Sequence, residues 1–157
     1  MAKEFQLSVD ARKLVEAYEA APNKVEDMVR LQLKIAVERI RKYASKHHRY
    51  TTRTGNLERN GVDGAVMYNT GFIWVNTDKV PYARAIHEGR PQMTIVPRRS
   101  DGYLRWVNKA GDDFVFAKRV TIPTLKPDPF LYQAADHEMP AIQKSFAKEL
   151  QELIKEL

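Results

Sequence analysis

Apolar and polar residues alternate at the start of the chain. Phe5, Leu7 and Val9 occupy every second position of EFQLSVD, which is the period of a half-buried strand. Asp10 follows, and its carboxylate is suited to accept hydrogen bonds from the first amides of a helix. The pattern therefore predicts a short strand and then a short helix over ARKLVEAYEAA, which ends at Pro22.

A helical period of three and four begins at Lys24 and continues for about 25 residues. Its apolar stripe consists of Val25, Met28, Val29, Leu33, Ala36, Ile40, Tyr43 and Ala44. Leu31 and Ile35 widen the stripe on one side, which indicates contact with more than one neighbour, in the same domain or in another subunit. This segment is the longest predicted helix.

The middle of the chain has the composition of strands and turns. GAVMYNTGFIWVN predicts a hairpin with its turn at Asn69-Thr70-Gly71. MTIVP predicts a short strand, and Tyr82 to Ile86 predicts another, which delivers His87, Glu88 and Gly89 to a turn. A further hairpin is predicted in which the apolar residues of two strands face each other across a polar turn. The first strand contains Tyr103, Leu104, Trp106 and Val107, and the second contains Phe114, Val115, Phe116 and Val120.

The last segment, HEMPAIQKSFAKELQELIKEL, again has a helical period, with Pro140 placed in the first turn. The order of elements predicts an α+β fold in which an antiparallel β-sheet packs against the long helix and the C-terminal helix. At 157 residues the chain has the length of one ordinary domain, so a single domain over residues 1–157 is expected.

Positive charge is concentrated in one part of the chain. The formal net charge is +6, and most of the excess lies between Arg30 and Arg59, where only Glu38 and Glu58 are acidic. Within this part, residues 46–61 lack an apolar period and are rich in Thr, Asn, Gly and charge, which predicts a mobile basic loop. The basic segment is interpreted either as a solvated helix face with its loop or as a surface for DNA or RNA.

Known catalytic and metal-binding patterns do not fit the sequence. His87-Glu88 begins like a zinc-protease motif, but that motif requires a second His at position 91, which is Pro. Adjacent His47 and His48 would point about 100° apart on a helix. Cysteine is absent, which excludes disulfides and fits a reducing cytoplasm. We therefore predict no catalytic residue, metal ligand or cofactor, and no membrane-spanning or signal segment.

Aromatic residues near arginines suggest two interpretations. Trp74, Tyr82, Tyr103 and Trp106 could stack on nucleic-acid bases. Aromatics at strand spacing are more often cross-strand pairs in a core, and this second interpretation is favoured.

Three short motifs in order support a family resemblance. They are RTGNL at residues 53–57, YARAIHEG at 82–89 and PDPFLYQAAD at 127–136. Together they resemble the tail-completion proteins of tailed bacteriophages, which are also described as neck or head-tail joining proteins. The resemblance extends over roughly residues 5–155.

The resemblance implies a non-enzymatic virion protein that joins head and tail. It implies a ring, expected to be a hexamer in the virion and a monomer when isolated, between the head connector and the tail tube or tail terminator. Genome DNA would pass through the lumen, and six copies at +6 would give the ring a formal charge of about +36. Assembly would take place in the host cytoplasm, without a membrane.

The motifs nominate the residues expected at subunit contacts. These interface candidates are Arg53, Thr54, Gly55, Leu57, Tyr82, His87, Glu88, Gly89, Pro129, Phe130 and Leu131. The candidates for facing the lumen or DNA are Arg41, Lys42, Lys46, Arg49 and Arg53. Two other functions stay open, a small basic nucleic-acid-binding protein and a hydrolase that uses His87 and Glu88.

Overall fold

The computed structural model describes residues 11–156. Its helices are α1 (Ala11–Ala20), α2 (Pro22–Lys46), α3 (Asn56–Asn60), α4 (Ala83–Glu88) and α5 (Phe130–Glu156). Its strands are β1 (Val62–Met67), β2 (Thr70–Val75), β3 (Met93–Ile95), β4 (Leu104–Val107), β5 (Phe114–Ala117) and β6 (Val120–Ile122). The strand predicted at Phe5 to Val9 and the cap at Asp10 lie outside the described residues.

The α+β class is confirmed, because α2 packs against strands β1 and β2 and also against the C-terminal helix α5. The described strands form three separate two-stranded antiparallel sheets, β1-β2, β3-β6 and β4-β5. The main core includes Ile40 from α2, Val62 from β1 and Ala134 from α5. A smaller cluster joins Val25 to Leu150 near the other end of the same helix pair.

Strands β3 to β6 form one long hairpin in two parts. Arg90 and Leu125 exchange backbone hydrogen bonds of 2.9 and 2.8 Å at its base. Met93 pairs with Ile122 further out, and Leu104 pairs with Ala117 beyond that. The chain therefore leaves the body at Arg90 and returns to it at Leu125.

The predicted strand from Tyr82 to Ile86 is wrong, because this segment belongs to helix α4. Ala83 and His87 are the buried residues of this helix, and their spacing of four places both side chains on one helical face. The five residues YARAI, of which only Arg84 is charged, fit either period, so the pattern alone could not distinguish a strand from a short helix.

The turn between β1 and β2 lies at Tyr68 and Asn69 and overlaps the predicted turn, Asn69-Thr70-Gly71, only at Asn69. Met67 pairs with Thr70, and Tyr68 and Asn69 between them have φ angles of 49° and 59°. A two-residue hairpin turn of type I′ requires a positive φ at both of its central residues. Asn69 tolerates this conformation well, and Thr70 and Gly71, which were predicted to lie in the turn, are the first residues of β2.

Helix boundaries differ from the predictions at three places. Pro22 begins α2 instead of ending the preceding helix, which suits a residue with fixed φ and no amide donor. Part of the predicted loop at residues 46–61 is helical, namely α3. Helix α5 begins at Phe130, so Pro140 lies in its interior and not in its first turn. Buried residues on both sides of Pro140 hold that helix against the core.

The described helices include none that is both long enough and apolar enough to cross a membrane.

Candidate assembly site

Asp128 connects the surroundings of all three motifs. Its carboxylate accepts hydrogen bonds from the backbone amides of Arg49 and Tyr50 at 2.6 and 3.0 Å. Its own amide donates to the carbonyl oxygen of Ile86 at 2.9 Å. Asp128 is 5% exposed, so these bonds lie where water competes little. Through Asp128, the PDPFL segment is therefore hydrogen-bonded both to the loop before RTGNL and to helix α4.

Aromatic rings pack around this connection. Phe130 is 1% exposed, and the edges of Tyr50 and His87 meet it with ring centroids 5.6 and 5.1 Å away. His87 also meets Tyr132 at 4.6 Å. We call the buried group formed by Leu57, Ala83, His87, Asp128, Phe130 and Leu131 the motif cluster. It brings together three segments that are far apart in the sequence.

His87 and Glu88 face different surroundings. His87 is 3% exposed, and within the described chain its Nε2 atom has no hydrogen-bond partner. Burial lowers the pKa of His87, while Glu88 and Asp128 act in the opposite direction. The Glu88 carboxylate is exposed and accepts a hydrogen bond from Arg84 at 2.9 Å, which lowers its pKa. The two side chains thus do not converge on one point in solvent.

The RTGNL segment forms the entry to α3. Gly55 adopts a left-handed conformation with φ of 68° at the start of this helix. Arg59 donates hydrogen bonds to the carbonyl oxygens of Gly55 and Thr54 at 3.0 and 2.9 Å. Thr52 donates to the Glu58 carboxylate. The segment borders a cleft of about 400 Å³, whose other wall contains Tyr82 and Ile86.

The predicted interface residues divide by burial. Leu57, His87, Phe130 and Leu131 are buried inside the subunit. Those with exposed side chains are Arg53, Thr54, Tyr82 and Glu88, while Gly55, Gly89 and Pro129 are half-buried. Arg53, Thr54 and Tyr82 line the cleft, so they remain the predicted contacts of this region.

The predicted lumen-facing residues are all exposed; they are Arg41, Lys42, Lys46, Arg49 and Arg53. Arg41 forms an ion pair with Glu38 at 3.3 Å. Arg49 lies 3.4 Å from the Asp128 carboxylate and donates to the carbonyl oxygen of Pro127 at 3.2 Å. Arg49 therefore also stabilises the subunit.

Strands β4 and β5 carry a surface that the sequence interpretation missed. Tyr103, Trp106, Phe114 and Phe116 are between 40% and 60% exposed, so the favoured assignment of Tyr103 and Trp106 to core pairs is wrong. Trp74 on β2 is 44% exposed and Tyr82 is 46% exposed, so neither is a core residue. Consecutive apolar residues at 114–116 were the available signal, because they make both faces of a strand apolar.

We call residues 103–118 the aromatic arm. Two cations lie over its rings: Arg105 is 4.1 Å from the centroid of Phe114, and Lys118 is 5.6 Å from that of Tyr103. Within the described chain, β4 and β5 pack mainly against each other. An apolar surface of this kind is typical of an interaction site.

The described residues contain no group of three or more His, Asp or Glu side chains placed to hold a metal ion. Comparison with family models, with curated protein sequences and with solved structures finds no match for this chain.

Proposed function

We propose that this protein is a non-enzymatic structural component of a tailed-phage virion. It would act in tail completion or head-tail joining, as one subunit of a ring between the head connector and the tail. The observation that carries the proposal is the motif cluster. His87 of YARAIHEG meets Phe130 of PDPFL, Asp128 binds the loop before RTGNL, and Leu57 of RTGNL belongs to the same core as Phe130.

The aromatic arm supports a role in assembly. A monomer seldom exposes a contiguous group of large apolar side chains, yet Tyr103, Phe114 and Phe116 are each about half exposed. Covering such a surface would contribute favourable free energy to subunit association. The cleft beside RTGNL offers a second contact region on the same subunit.

The test is deletion of the gene from a phage that encodes this chain, with the wild-type gene supplied from a plasmid as the control. We expect the deletion to give separate heads and tails in electron micrographs and a loss of infectious particles. The plasmid should restore joined virions. Normal infectious virions without the gene would contradict the proposal.

A second candidate function is direct nucleic-acid binding, which the exposure of Lys42 and Lys46 favours. Counterion release would make the logarithm of the DNA affinity fall with the logarithm of salt, with a slope of about −0.9 per phosphate contacted. Lys42→Gln with Lys46→Gln should reduce that slope, as measured by fluorescence anisotropy near 50 mM salt.

The matched control removes the same charge from α5, by Lys144→Gln with Lys148→Gln, and leaves the basic segment intact. An equal loss in both double variants would indicate only a response to net charge. Absence of binding by the wild-type chain at this salt concentration would rule the second candidate out.

A further inference from the structure

We infer that the aromatic arm of one copy binds a groove between α1 and α2 of a second copy. This inference rests on the proposed function, because it names the surfaces that would join neighbours in the ring. It concerns two surfaces that none of the three motifs includes.

One face of the arm combines aromatic and basic side chains. Arg105 pairs with Phe116, and Val107 pairs with Phe114, so these four side chains project from the same face. The cation contacts at Phe114 and Tyr103 extend that face to Tyr103 and Lys118. The opposite face carries Trp106 and Val115, which are a directly facing pair.

The arm needs a partner for physical reasons. A two-stranded hairpin alone is at best marginally stable in water and gains stability by packing against a helix. Within the described chain, the arm has no helix packed closely against it. Phe116 is 60% exposed and Val107 is 50% exposed, so both retain apolar surface for a partner.

A groove with matching chemistry lies between α1 and α2. Its volume is about 380 Å³, and its walls are Val15, Tyr18, Glu19, Val25, Glu26, Val29 and Asn69. Val15 and Tyr18 are 54% and 47% exposed. The Tyr18 hydroxyl donates to the Glu26 carboxylate at 3.2 Å. We call this surface the acidic groove, because Glu19 and Glu26 are the charged residues among its described wall residues.

The two surfaces are complementary in both polarity and charge. Phe114 and Phe116 supply apolar rings for the walls, and Arg105 and Lys118 supply cations for Glu19 and Glu26. Opposite potentials across an interface fix its register and exclude wrong partners. A second copy is therefore the occupant that fits, since every copy carries both an arm and a groove.

The contact would join two different surfaces. Contacts between unlike surfaces run head to tail, and they close into a ring when the rotation between subunits permits. The arm-to-groove contact, repeated from one subunit to the next, would therefore be sufficient to form the ring.

Disulfide trapping tests the contact directly, because the natural chain has no cysteine. Phe116→Cys is placed in the arm and Val15→Cys in the groove, on separate chains that are mixed at high concentration and oxidised. We expect a mixed disulfide dimer on a non-reducing gel. Tyr18→Cys serves as a second groove position.

Val115→Cys is the matched control, because it lies one residue away on the opposite face of the same strand. We expect it to give at least about tenfold less mixed dimer with either groove cysteine. Equal yields from Phe116→Cys and Val115→Cys, or no mixed dimer from either, would overturn the inference.

Charge reversal provides an independent measurement. Arg105→Glu with Lys118→Glu should lower the trapping yield, and so should Glu19→Lys with Glu26→Lys. Combining a reversed arm with a reversed groove should restore the yield. Failure of the combination to restore it would contradict the proposed ion pairs.

Two further outcomes separate this inference from the proposed function. Rings in the virion without arm-to-groove trapping would overturn the inference and leave the proposed function intact. Efficient trapping together with normal virions after gene deletion would support the arm-to-groove contact and overturn the proposed function. Binding of single-stranded DNA that is lost in Phe116→Ser would assign the arm to nucleic acid and overturn the inference.

Discussion

Asp128 joins two parts of the chain that are far apart in sequence. Its carboxylate satisfies the amides of Arg49 and Tyr50, and its side chain lies 3.4 Å from the Arg49 guanidinium. No sequence pattern indicated this partnership, because Pro127 and Pro129 identified an extended segment but not the group that it would contact. Partners that are distant in sequence depend on the tertiary fold and cannot be read from local periodicity.

Replacement of Asp128 tests the importance of this connection. Asp128→Ala would leave two amides without their acceptor, so we expect the free energy of unfolding to fall by about 2–3 kcal/mol. Urea denaturation followed by circular dichroism measures the change. Asp101→Ala is the control at an exposed carboxylate, and it should change stability by less than about 0.5 kcal/mol. Equal effects would contradict the role of Asp128.

His87 predicts a dependence of stability on pH. Burial lowers its pKa in the folded chain, so the unfolded chain, with a His pKa of about 6.5, takes up the proton first as the pH falls. Stability should therefore be complete above about pH 6.5 and should decrease below it, by at most about 1.4 kcal/mol per pH unit.

Urea denaturation between pH 7.5 and 5.5 measures this effect. His87→Phe and His87→Gln should both lose this part of the pH dependence, and His137→Gln, at an exposed position, should retain it. An unchanged pH profile in both His87 variants would show that another group is responsible.

Helix α4 illustrates what the sequence could and could not predict at the scale of elements. The long helix and both hairpins were predicted because their apolar periods extend over many residues. YARAIHEG is too short for such a distinction, and its helical state depends on packing of Ala83 and His87 into the motif cluster. Tertiary packing decides the state of short segments in this way.

Gly89 ends α4 in a conformation that other residues resist. Its φ is 80° and its ψ is 176°, a region that is almost restricted to glycine. A Cβ atom at this position would lie 2.8 Å from the carbonyl oxygen of Leu125 and 3.0 Å from Pro127. The backbone at the base of the long hairpin therefore requires glycine for two separate reasons.

Gly89→Ala should lower the free energy of unfolding by about 3 kcal/mol or more, from backbone strain together with the steric contact. Gly111→Ala is a matched control, because Gly111 has a φ of 83° but no atom within 4 Å of the added Cβ. We expect the control to lose only about 1 kcal/mol. Thermal and urea denaturation would distinguish the two, and similar losses would argue against crowding at Gly89.

The whole molecule divides into a body, which includes α2, α5 and the motif cluster, and an arm with few contacts to it. Few contacts imply opening by local fluctuations at low free energy. Amides of β4 and β5 should therefore exchange hydrogen faster than those of α2 near Ile40. Hydrogen exchange followed by mass spectrometry measures both, and slow exchange of β4 and β5 in the isolated monomer would contradict this division.

The separation of body and arm also explains which part of the candidate site the sequence did not predict. The motifs singled out Leu57, Phe130 and Leu131, but as candidates for subunit contacts, and their burial inside the subunit was not predicted. The exposure of Phe116 could not be predicted, since an aromatic residue in a strand has the same local pattern whether a core or another subunit covers it. Only the three-dimensional arrangement shows that the body leaves it uncovered.

Because Arg90 and Leu125 pair at its base, the long hairpin can be removed as a unit without separating the two chain ends. Because these two residues already exchange backbone hydrogen bonds, an Asn-Gly turn in place of residues 91–124 would connect them in the geometry of a two-residue hairpin. The shortened chain should fold, keep the Asp128 connection and sediment as a monomer at every concentration. Replacement of this hairpin by one of another length or sequence could then change which partner the subunit contacts, while the body that carries the three motifs stays the same.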